Sequence, residues 1–141
     1  MALFLCQLAG KFSQVKYLNL GGGLSVPMRP NENEFNLEQL DTELARVKDL
    51  YPQYQFVMEP GRFFVATSGV LISQVTQLKV KGEVNYVGIS TGMNSLIRPS
   101  LYGSYHHIVN LSQLDSPNVM NVNVVGPICE TGDILGLSRP F

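Results

Sequence analysis

The chain has 141 residues, of which 45% are hydrophobic and 15% charged, and its formal net charge is −1. This length suits one ordinary domain, and a near-neutral chain without a basic run argues against a nucleic-acid partner. The two cysteines, Cys6 and Cys129, are too few for a disulfide framework and fit no zinc spacing, which favours a reducing, cytoplasmic compartment.

The first predicted element is an apolar helix over residues 2–13, with Lys11 near its end. A signal peptide would need a basic region before the apolar run, and this start has none. The run is also too short to span a bilayer. We therefore predict a helix packed in a protein interior, with Cys6 in the core and no membrane partner.

A glycine run follows the first predicted strand. Residues 16–20 form an apolar run typical of a buried parallel strand, and Gly21, Gly22 and Gly23 come directly after it. They predict either a plain strand-to-helix turn or a nest of backbone N–H groups around a phosphate. The run lacks the Lys-Ser/Thr of a P-loop and the G-x-G-x-x-G spacing of a dinucleotide fold, so both motifs are excluded.

A capped helix and a second strand come next. Asn36 is the predicted N-cap, with Gln39 three residues on, and leucines and a valine at helical spacing give one apolar face. Tyr51-Pro52 ends the helix, and residues 55–58 form the second strand. Residues 15–59 therefore predict a parallel strand–helix–strand unit with its loops on one side.

A charged turn follows this second strand. Glu59, Pro60, Gly61 and Arg62 stand where α/β folds bind their ligands, beyond the carboxyl end of a strand. The carboxylate and the guanidinium can serve opposite charges of one ligand, while proline and glycine fix the turn. The pattern predicts a ligand site, with an exposed loop glutamate as the alternative.

The character of the chain changes from α/β to β near residue 68. The later segments are rich in β-branched residues, and Lys81-Gly82 is a hairpin signal between two of them. We place the domain boundary there, between residues 1–68 and residues 69–141. The predicted strands span residues 70–80, 84–89, 107–111 and 119–125.

Four motifs in chain order carry a family resemblance. They are YLNLGGGLSV at residues 17–26, EPGRFFVA at 59–66, MNSLIRPSLY at 93–102 and GPICETGD at 126–133. Together they resemble the diaminopimelate decarboxylases, a branch of the fold-III pyridoxal-phosphate decarboxylases that also include ornithine decarboxylase. The resemblance covers essentially the whole chain. The Arg98–Tyr102 segment and Cys129-Glu130 favour the diaminopimelate branch.

The resemblance implies an α/β plus β fold. Residues 1–68 would be the C-terminal part of a (β/α)8 barrel, and residues 69–141 the first half of a β-sandwich-like domain. A barrel alone needs ~250 residues, so we expect a fragment. The family lysine that holds the cofactor covalently belongs to an early strand absent from this chain, and a late site tyrosine would lie beyond Phe141. The fragment is therefore expected to be inactive alone.

The resemblance also implies that the cofactor is pyridoxal 5′-phosphate. The glycine run and the backbone of Gly61-Arg62 would bind its phosphate. Glu59 would keep the ring nitrogen protonated, which makes the ring a good sink for the charge left by decarboxylation. The expected cofactor-binding residues are Gly21, Gly22, Gly23, Glu59, Pro60, Gly61 and Arg62.

The expected substrate-binding residues are Arg62, Arg98, Tyr102 and Glu130. The planar guanidinium groups of Arg62 and Arg98 suit the far carboxylate of the substrate. Tyr102 lies one turn beyond Arg98 in a helix, so both could face one pocket. A surface ion pair for Arg98 and a core aromatic for Tyr102 are the alternatives.

Cys129 and Glu130 match a Cys-Glu pair that, in the family, reaches across a homodimer interface into the partner's site. Cys129 would be the catalytic proton donor, with a buried, inert cysteine as the alternative, and Glu130 would meet the distal ammonium of the substrate. His106 and His107 are assigned structural roles, because no third ligand is spaced for a metal.

Ser90-Thr91-Gly92 departs from the family pattern, which commonly has Asp-Ala-Gly at this point. In the family, variants fused to an aspartokinase often carry the Thr-Gly form seen here.

Three functions stay open. The first is decarboxylation of meso-2,6-diaminopimelate to L-lysine in lysine biosynthesis. The second is a related decarboxylase of another amino acid, against which Arg98 and Glu130 argue if lysine and diaminopimelate bind competitively in the full protein. The third is a non-catalytic interaction fragment, which the absent lysine favours for the isolated chain.

Overall fold

The computed structural model describes residues 1–117 and 120–141. The chain divides into two compact units. Unit 1 comprises Met1–Pro27 and Glu32–Val70, and unit 2 comprises Met28–Asn31 and Leu71–Phe141. Assignment of the first unit to a barrel and the second to the start of a β domain stays a prediction.

Unit 1 contains a parallel pair of strands joined through a helix. β1 pairs with β2 in parallel, with Leu18 opposite Phe56. The predicted strand–helix–strand arrangement is confirmed, although each strand is only three residues long. The elements of unit 1 are α1 (Ala2–Ala9), β1 (Tyr17–Asn19), α2 (Leu37–Leu50), β2 (Gln55–Val57) and α3 (Gly61–Val65).

Helix α1 is shorter and more exposed than predicted. It ends at Ala9, and the N–H of Gly10 bonds to the carbonyl of Cys6 at 3.1 Å. Cys6 is buried in the core as predicted, but Phe4 and Leu8 are exposed. The predicted packing of this helix in a protein interior is therefore seen for one face only within unit 1, where the helix lies against β1. The core of this unit is formed by Cys6, Ala9, Leu18, Val47 and Tyr54.

Helix α2 begins as the sequence predicts. The side-chain oxygen of Asn36 accepts the N–H of Gln39 at 2.8 Å, which satisfies one of the donors left over at a helix start. Its apolar face is only partly buried, since Val47 is buried while Leu37 and Leu50 are exposed.

Unit 2 is built on a four-stranded mixed sheet in the order β3-β4-β5-β6. β3 and β4 form the predicted antiparallel hairpin, and Gly82 has a φ of 61° at the first central position of its two-residue turn, where a type II′ turn takes glycine. β4 and β5 are parallel, and β5 and β6 are antiparallel. The elements are β3 (Val75–Lys81), β4 (Val84–Ile89), α4 (Arg98–Tyr102), a 3-10 helix (Leu111–Gln113), β5 (Asn121–Val125) and β6 (Ile134–Pro140).

Three strand predictions beyond residue 69 need correction. Residues 70–74 are not strand, and the N–H of Gln74 bonds to the side chain of Ser90 instead of a ladder carbonyl. Residues 107–111 run into the 3-10 helix, because the Asn110 side chain accepts the N–H of Ser112 and so caps a turn. The predicted strand at 119–125 is observed from Asn121, and Val119 lies outside the described residues. β6 was missed, since Gly136, Ser138 and Pro140 obscure its apolar pattern.

The core of unit 2 lies on the three strands β4, β5 and β6. It consists of Val87, Val122, Val124 and Leu135. Every residue of β3, at one edge of the sheet, is exposed. No helix in the described part of the chain is long and apolar enough to cross a membrane.

Candidate functional site

The predicted site residues fall into two groups, one in each unit. In unit 1, the glycine run and the Glu59–Arg62 turn leave β1 and β2 at the same edge. Backbone bonding continues past both strands, from Leu20 N–H to the Val57 carbonyl at 2.8 Å and from Glu59 N–H to the Gly21 carbonyl at 2.7 Å. The structure therefore brings these two predicted loops together.

Each glycine of the run has its own structural reason. A Cβ on Gly22 would lie 2.1 Å from the carbonyl oxygen of Glu59, so no side chain fits there. Gly21 and Gly23 have φ angles of 75° and 81°, which side chains rarely adopt, and an added Cβ would meet nothing within 4 Å at either. Gly22 thus serves the packing of the two loops, while Gly21 and Gly23 leave open space beside their backbone. That space fits the approach of an anion such as a phosphate.

Asn19 links the two loops, and sequence reasoning missed it. Its side-chain N–H donates to Oε1 of Glu59 at 2.6 Å, and its side-chain oxygen accepts the N–H of Gly21 at 2.8 Å. The Glu59 carboxylate is exposed, but this bond fixes its direction. Its remaining lone pairs can accept a further N–H, as a protonated ring nitrogen would offer. A polar residue at the last position of β1, two residues before Gly21, was the available signal.

The rest of the turn starts a short helix. Pro60 is the N-cap residue of α3, and the N–H of Gly61 bonds to the Glu59 carbonyl at 2.9 Å. The N–H groups of a first helical turn have no acceptor within their own helix, and the Arg62 N–H is one of these. The Arg62 side chain is exposed.

In unit 2, Arg98 and Tyr102 lie on the predicted helix. The guanidinium carbon of Arg98 is 5.4 Å from the centre of the Tyr102 ring, and its Nη2 donates to Ser104 Oγ at 3.2 Å. Its Nε is buried and has no partner among the described residues. Arg98 thus contacts a ring and a hydroxyl in this unit, and Tyr102 is exposed. Among the described residues, the alternatives of a surface ion pair for Arg98 and a core aromatic for Tyr102 are not observed.

Arg98 belongs to a positively charged region that the sequence did not reveal. The guanidinium carbons of Arg139 and Arg29 lie 3.8 Å and 4.5 Å from the centre of the Tyr105 ring. Burial lowers the pKa of His106, and the positive charges of Arg98 and Arg139 lower it further. Nε of Arg139 and Nε2 of His106 are buried without partners among the described residues. Such a region suits a carboxylate ligand.

The loop between β5 and β6 carries Cys129 and Glu130. The Cys129 side chain is exposed, so the alternative of a buried cysteine is wrong in this structure. The hydroxyl of Thr131 donates to Glu130 Oε1 at 3.0 Å and lowers the pKa of that carboxyl, as do the N–H groups of Gly132 and Thr131. Glu130 also borders an open cleft of about 430 Å³, together with Lys79 and Tyr86. An ionised carboxylate at a cleft can bind an ammonium group.

Comparison with known proteins places this chain among pyridoxal-dependent decarboxylases. A family model described as pyridoxal-dependent decarboxylase, C-terminal sheet domain, matches residues 6–141. Diaminopimelate decarboxylase of Aquifex aeolicus is 41% identical over 134 residues, which are 94% of this chain and 31% of that protein. Its namesake from Escherichia coli K12 is 40% identical over 131 residues, covering 83% of this chain and 30% of that protein.

A solved structure agrees with these relatives. Diaminopimelate decarboxylase of M. jannaschii, crystallised with L-lysine, matches with a TM-score of 0.80 at 30% identity, covering 96% of this chain and 32% of that one. The chain therefore belongs to the pyridoxal-dependent decarboxylase family, which confirms the resemblance in its motifs. The members named above are diaminopimelate decarboxylases, and the chain spans about 31% of the length of the first of them.

Proposed function

We propose that this chain is part of a diaminopimelate decarboxylase, which removes one carboxylate of meso-2,6-diaminopimelate and releases L-lysine. The observation that carries the proposal is the Glu59 carboxylate, fixed by Asn19 beside the glycine run. The identity to diaminopimelate decarboxylases over most of the chain supports the choice of substrate.

The proposed architecture assigns each unit to one part of the enzyme. Residues 1–68 are the end of a (β/α)8 barrel, which the parallel pairing of β1 with β2 through α2 supports. Residues 69–141 are the start of the sheet domain, which the mixed four-stranded sheet supports. Ligands of such barrels bind at the carboxyl ends of the strands. The glycine run follows the end of β1 along the chain, and Glu59 follows the end of β2.

The residues of unit 1 would hold the cofactor. Pyridoxal phosphate supplies an electron sink for the carbon that loses carbon dioxide. Gly21 and Gly23 offer open backbone to its phosphate, together with the first-turn N–H of Arg62. Glu59 would hold a proton on the ring nitrogen, because an adjacent carboxylate raises the pKa of a pyridinium.

The residues of unit 2 would hold the far end of the substrate. Diaminopimelate carries a carboxylate and an ammonium group there. Arg98, in its positively charged surroundings, suits the carboxylate, with Tyr102 beside it. Glu130 stays ionised and suits the ammonium group. Cys129 has an exposed thiol that can donate a proton to the reacting carbon. We propose that this Cys-Glu pair serves the site of a partner subunit in a homodimer.

A chimera tests the function directly. Residues 6–141 would replace the matching segment of the Aquifex aeolicus relative. The rest of that relative would supply the parts of the enzyme that this chain lacks. With pyridoxal phosphate, this chimera should form L-lysine from meso-diaminopimelate and should act poorly on ornithine and arginine. A chimera that binds the cofactor but forms no lysine, or that prefers ornithine, would show that the proposal is wrong.

The chain alone should be inactive. Its five lysines are Lys11, Lys16, Lys48, Lys79 and Lys81, and none matches the family lysine that binds the cofactor covalently. Treatment with pyridoxal phosphate and then borohydride should therefore leave no single lysine stoichiometrically modified, as judged by peptide mass spectrometry. Modification of one specific lysine, or release of lysine from diaminopimelate, would contradict this expectation.

A further inference from the structure

A buried carboxylate, Asp133, joins the two segments of unit 2 that carry the candidate substrate residues. Its side chain is 3% exposed. Oδ1 accepts the N–H of Met93 at 2.6 Å, and Oδ2 accepts the N–H of Ile128 at 2.8 Å. Burying a carboxylate costs free energy unless hydrogen bonds replace its water. The two N–H groups make that replacement, and both segments are thereby tied to one side chain.

Two glycines make room for this carboxylate. A Cβ on Gly92 would lie 2.5 Å from each of its oxygens, and a Cβ on Gly126 would lie 2.2 Å from Oδ2 and 2.5 Å from the Cα of Gly92. Neither glycine has a positive φ, so backbone conformation does not explain them. The approach of the carboxylate accounts for Gly92, and the carboxylate together with the Gly92 backbone accounts for Gly126.

The contacts of Asp133 reach both groups of site residues in this unit. Ile128 directly precedes Cys129 and Glu130, and the N–H of Asp133 donates to the Glu130 carbonyl at 3.1 Å. On the other side, Met93 begins the turn that leads into α4, where Leu96 N–H bonds to the Gly92 carbonyl at 3.2 Å. One side chain therefore sets the position of the Cys-Glu loop and of the segment that enters the Arg98 helix.

We propose that Asp133 is a positioning residue of the decarboxylase, which holds Cys129 and Glu130 in register with the Arg98 segment. It does not need to touch the substrate. The inference rests on the proposed function, because the residues that Asp133 positions act in the proposed decarboxylation. Asp133 ends the GPICETGD segment at residues 126–133 and lies three residues beyond Glu130 without being one of the candidate substrate residues.

Asp133→Asn tests this role without changing the size of the side chain. An asparagine keeps one acceptor oxygen, but an NH2 group replaces the other oxygen and faces an N–H donor, which it cannot bond. One of the two segments must shift. A misplacement of about 1 Å in a catalytic group can cost roughly 100-fold in rate. We expect kcat per bound cofactor to fall between about 10-fold and 100-fold. KM for diaminopimelate should rise as well, because Arg98 and Glu130 are the proposed contacts of the substrate.

Hydrogen exchange on the chain itself tests the geometry without any assay of activity. In the unmodified chain, the amides of Met93 and Ile128 should exchange more slowly than those of Asn94 and Cys129. In Asp133→Asn, the amide of Met93 or of Ile128 should exchange at least about ten times faster than before, because it loses its acceptor. Equal exchange at all four amides would overturn the inference.

Kinetics in the chimera test the catalytic consequence. Gly92→Ala should reproduce the effect of Asp133→Asn, because the three atoms nearest to its Cβ all belong to the Asp133 carboxylate, which it would displace. Gly132→Ala is the matched control in the loop that carries Asp133, since its Cβ would meet nothing closer than 4.0 Å, and it should leave kcat unchanged. Unchanged kcat per bound cofactor in both Asp133→Asn and Gly92→Ala would show that Asp133 serves folding alone. A chimera that binds the cofactor but is inactive before any substitution would instead refute the proposed function and leave the exchange result standing.

Discussion

The side chain of Glu59 shows how a surface carboxylate acquires a fixed direction. The loop that carries it is exposed, and a free glutamate there would sample several rotamers. Asn19 removes that freedom by donating to Oε1 at 2.6 Å while its own oxygen accepts the Gly21 N–H. The glycine run and the carboxylate are therefore positioned by one amide, and a change at either loop is transmitted to the other.

Glu59→Gln in the chimera should lower kcat by about 100-fold, the loss typical of removing one preorganised electrostatic group. The amide keeps the shape and the contact with Asn19 but loses the charge that favours a protonated ring nitrogen. KM for diaminopimelate should change little, because the charge matters most when the carbon loses its carboxylate. Steady-state kinetics beside a cofactor titration measure both quantities.

The matched control is Glu34→Gln, at an exposed glutamate of the loop before α2, which should behave like the unmodified chimera. The role assigned to Glu59 is wrong if Glu59→Gln loses its cofactor but keeps its kcat at saturating pyridoxal phosphate.

His106 should make the stability of the chain depend on pH. Burial, then Arg98 and Arg139, lower its pKa in the folded chain, so the unfolded chain binds the proton more tightly. The contribution is fully favourable above the unfolded pKa of about 6.5 and is lost as pH falls below it towards the folded pKa. Urea unfolding between pH 8 and pH 5 should therefore show falling stability, and His106→Gln should flatten that fall. His107→Gln, at the exposed neighbour, is the control, and an equal slope in both variants would assign the effect elsewhere.

Secondary structure could be predicted from the sequence where one local signal dominates. The Asn36 cap, the stop at Tyr51 and the turn at Gly82 each depend on a few neighbouring residues, and all three are observed. The failures have tertiary causes. Residues 70–74 begin with three apolar residues but have no ladder partner, and β6 forms because β5 supplies one. The sequence did not predict roles for Asn19, Arg139 and Asp133. These roles depend on contacts with residues that are distant along the chain.

The N-cap of α2 is the element whose contribution to stability can be measured most directly. Asn36→Ala removes the acceptor of the Gln39 N–H and should lower the free energy of unfolding by about 1 kcal/mol. Asn33→Ala, at an exposed residue of the same loop, should change it by less than about 0.5 kcal/mol. Urea unfolding followed by circular dichroism measures both variants. Equal effects of the two substitutions would mean that the cap does not limit the stability of this helix.

At the scale of the whole molecule, the exposed large apolar side chains outnumber the buried ones among the described residues. The two cores together hold nine buried hydrophobic residues, while Phe64, Val70 and Leu78 are each about three-quarters exposed or more. A lone soluble domain rarely leaves so much apolar surface in contact with water. The chain spans 31% of the Aquifex relative, so it lacks counterparts of most of the surfaces against which that protein can pack.

The isolated chain should therefore associate with itself. β3 lies at an edge of the sheet, and unpaired edges template pairing between chains. On this strand Gln77, Lys79 and Lys81 border the cleft, and alternation places Leu78 and Val80 on the opposite face, where they are 75% and 69% exposed. Sedimentation velocity at micromolar concentration should show a dimer or larger species. Leu78→Glu should shift it towards monomer, because a charge on the apolar face opposes burial. Gln77→Glu adds the same charge to the cleft face and should leave association unchanged. A monomer with a sharp two-state melt, or equal effects of the two substitutions, would contradict association through this face.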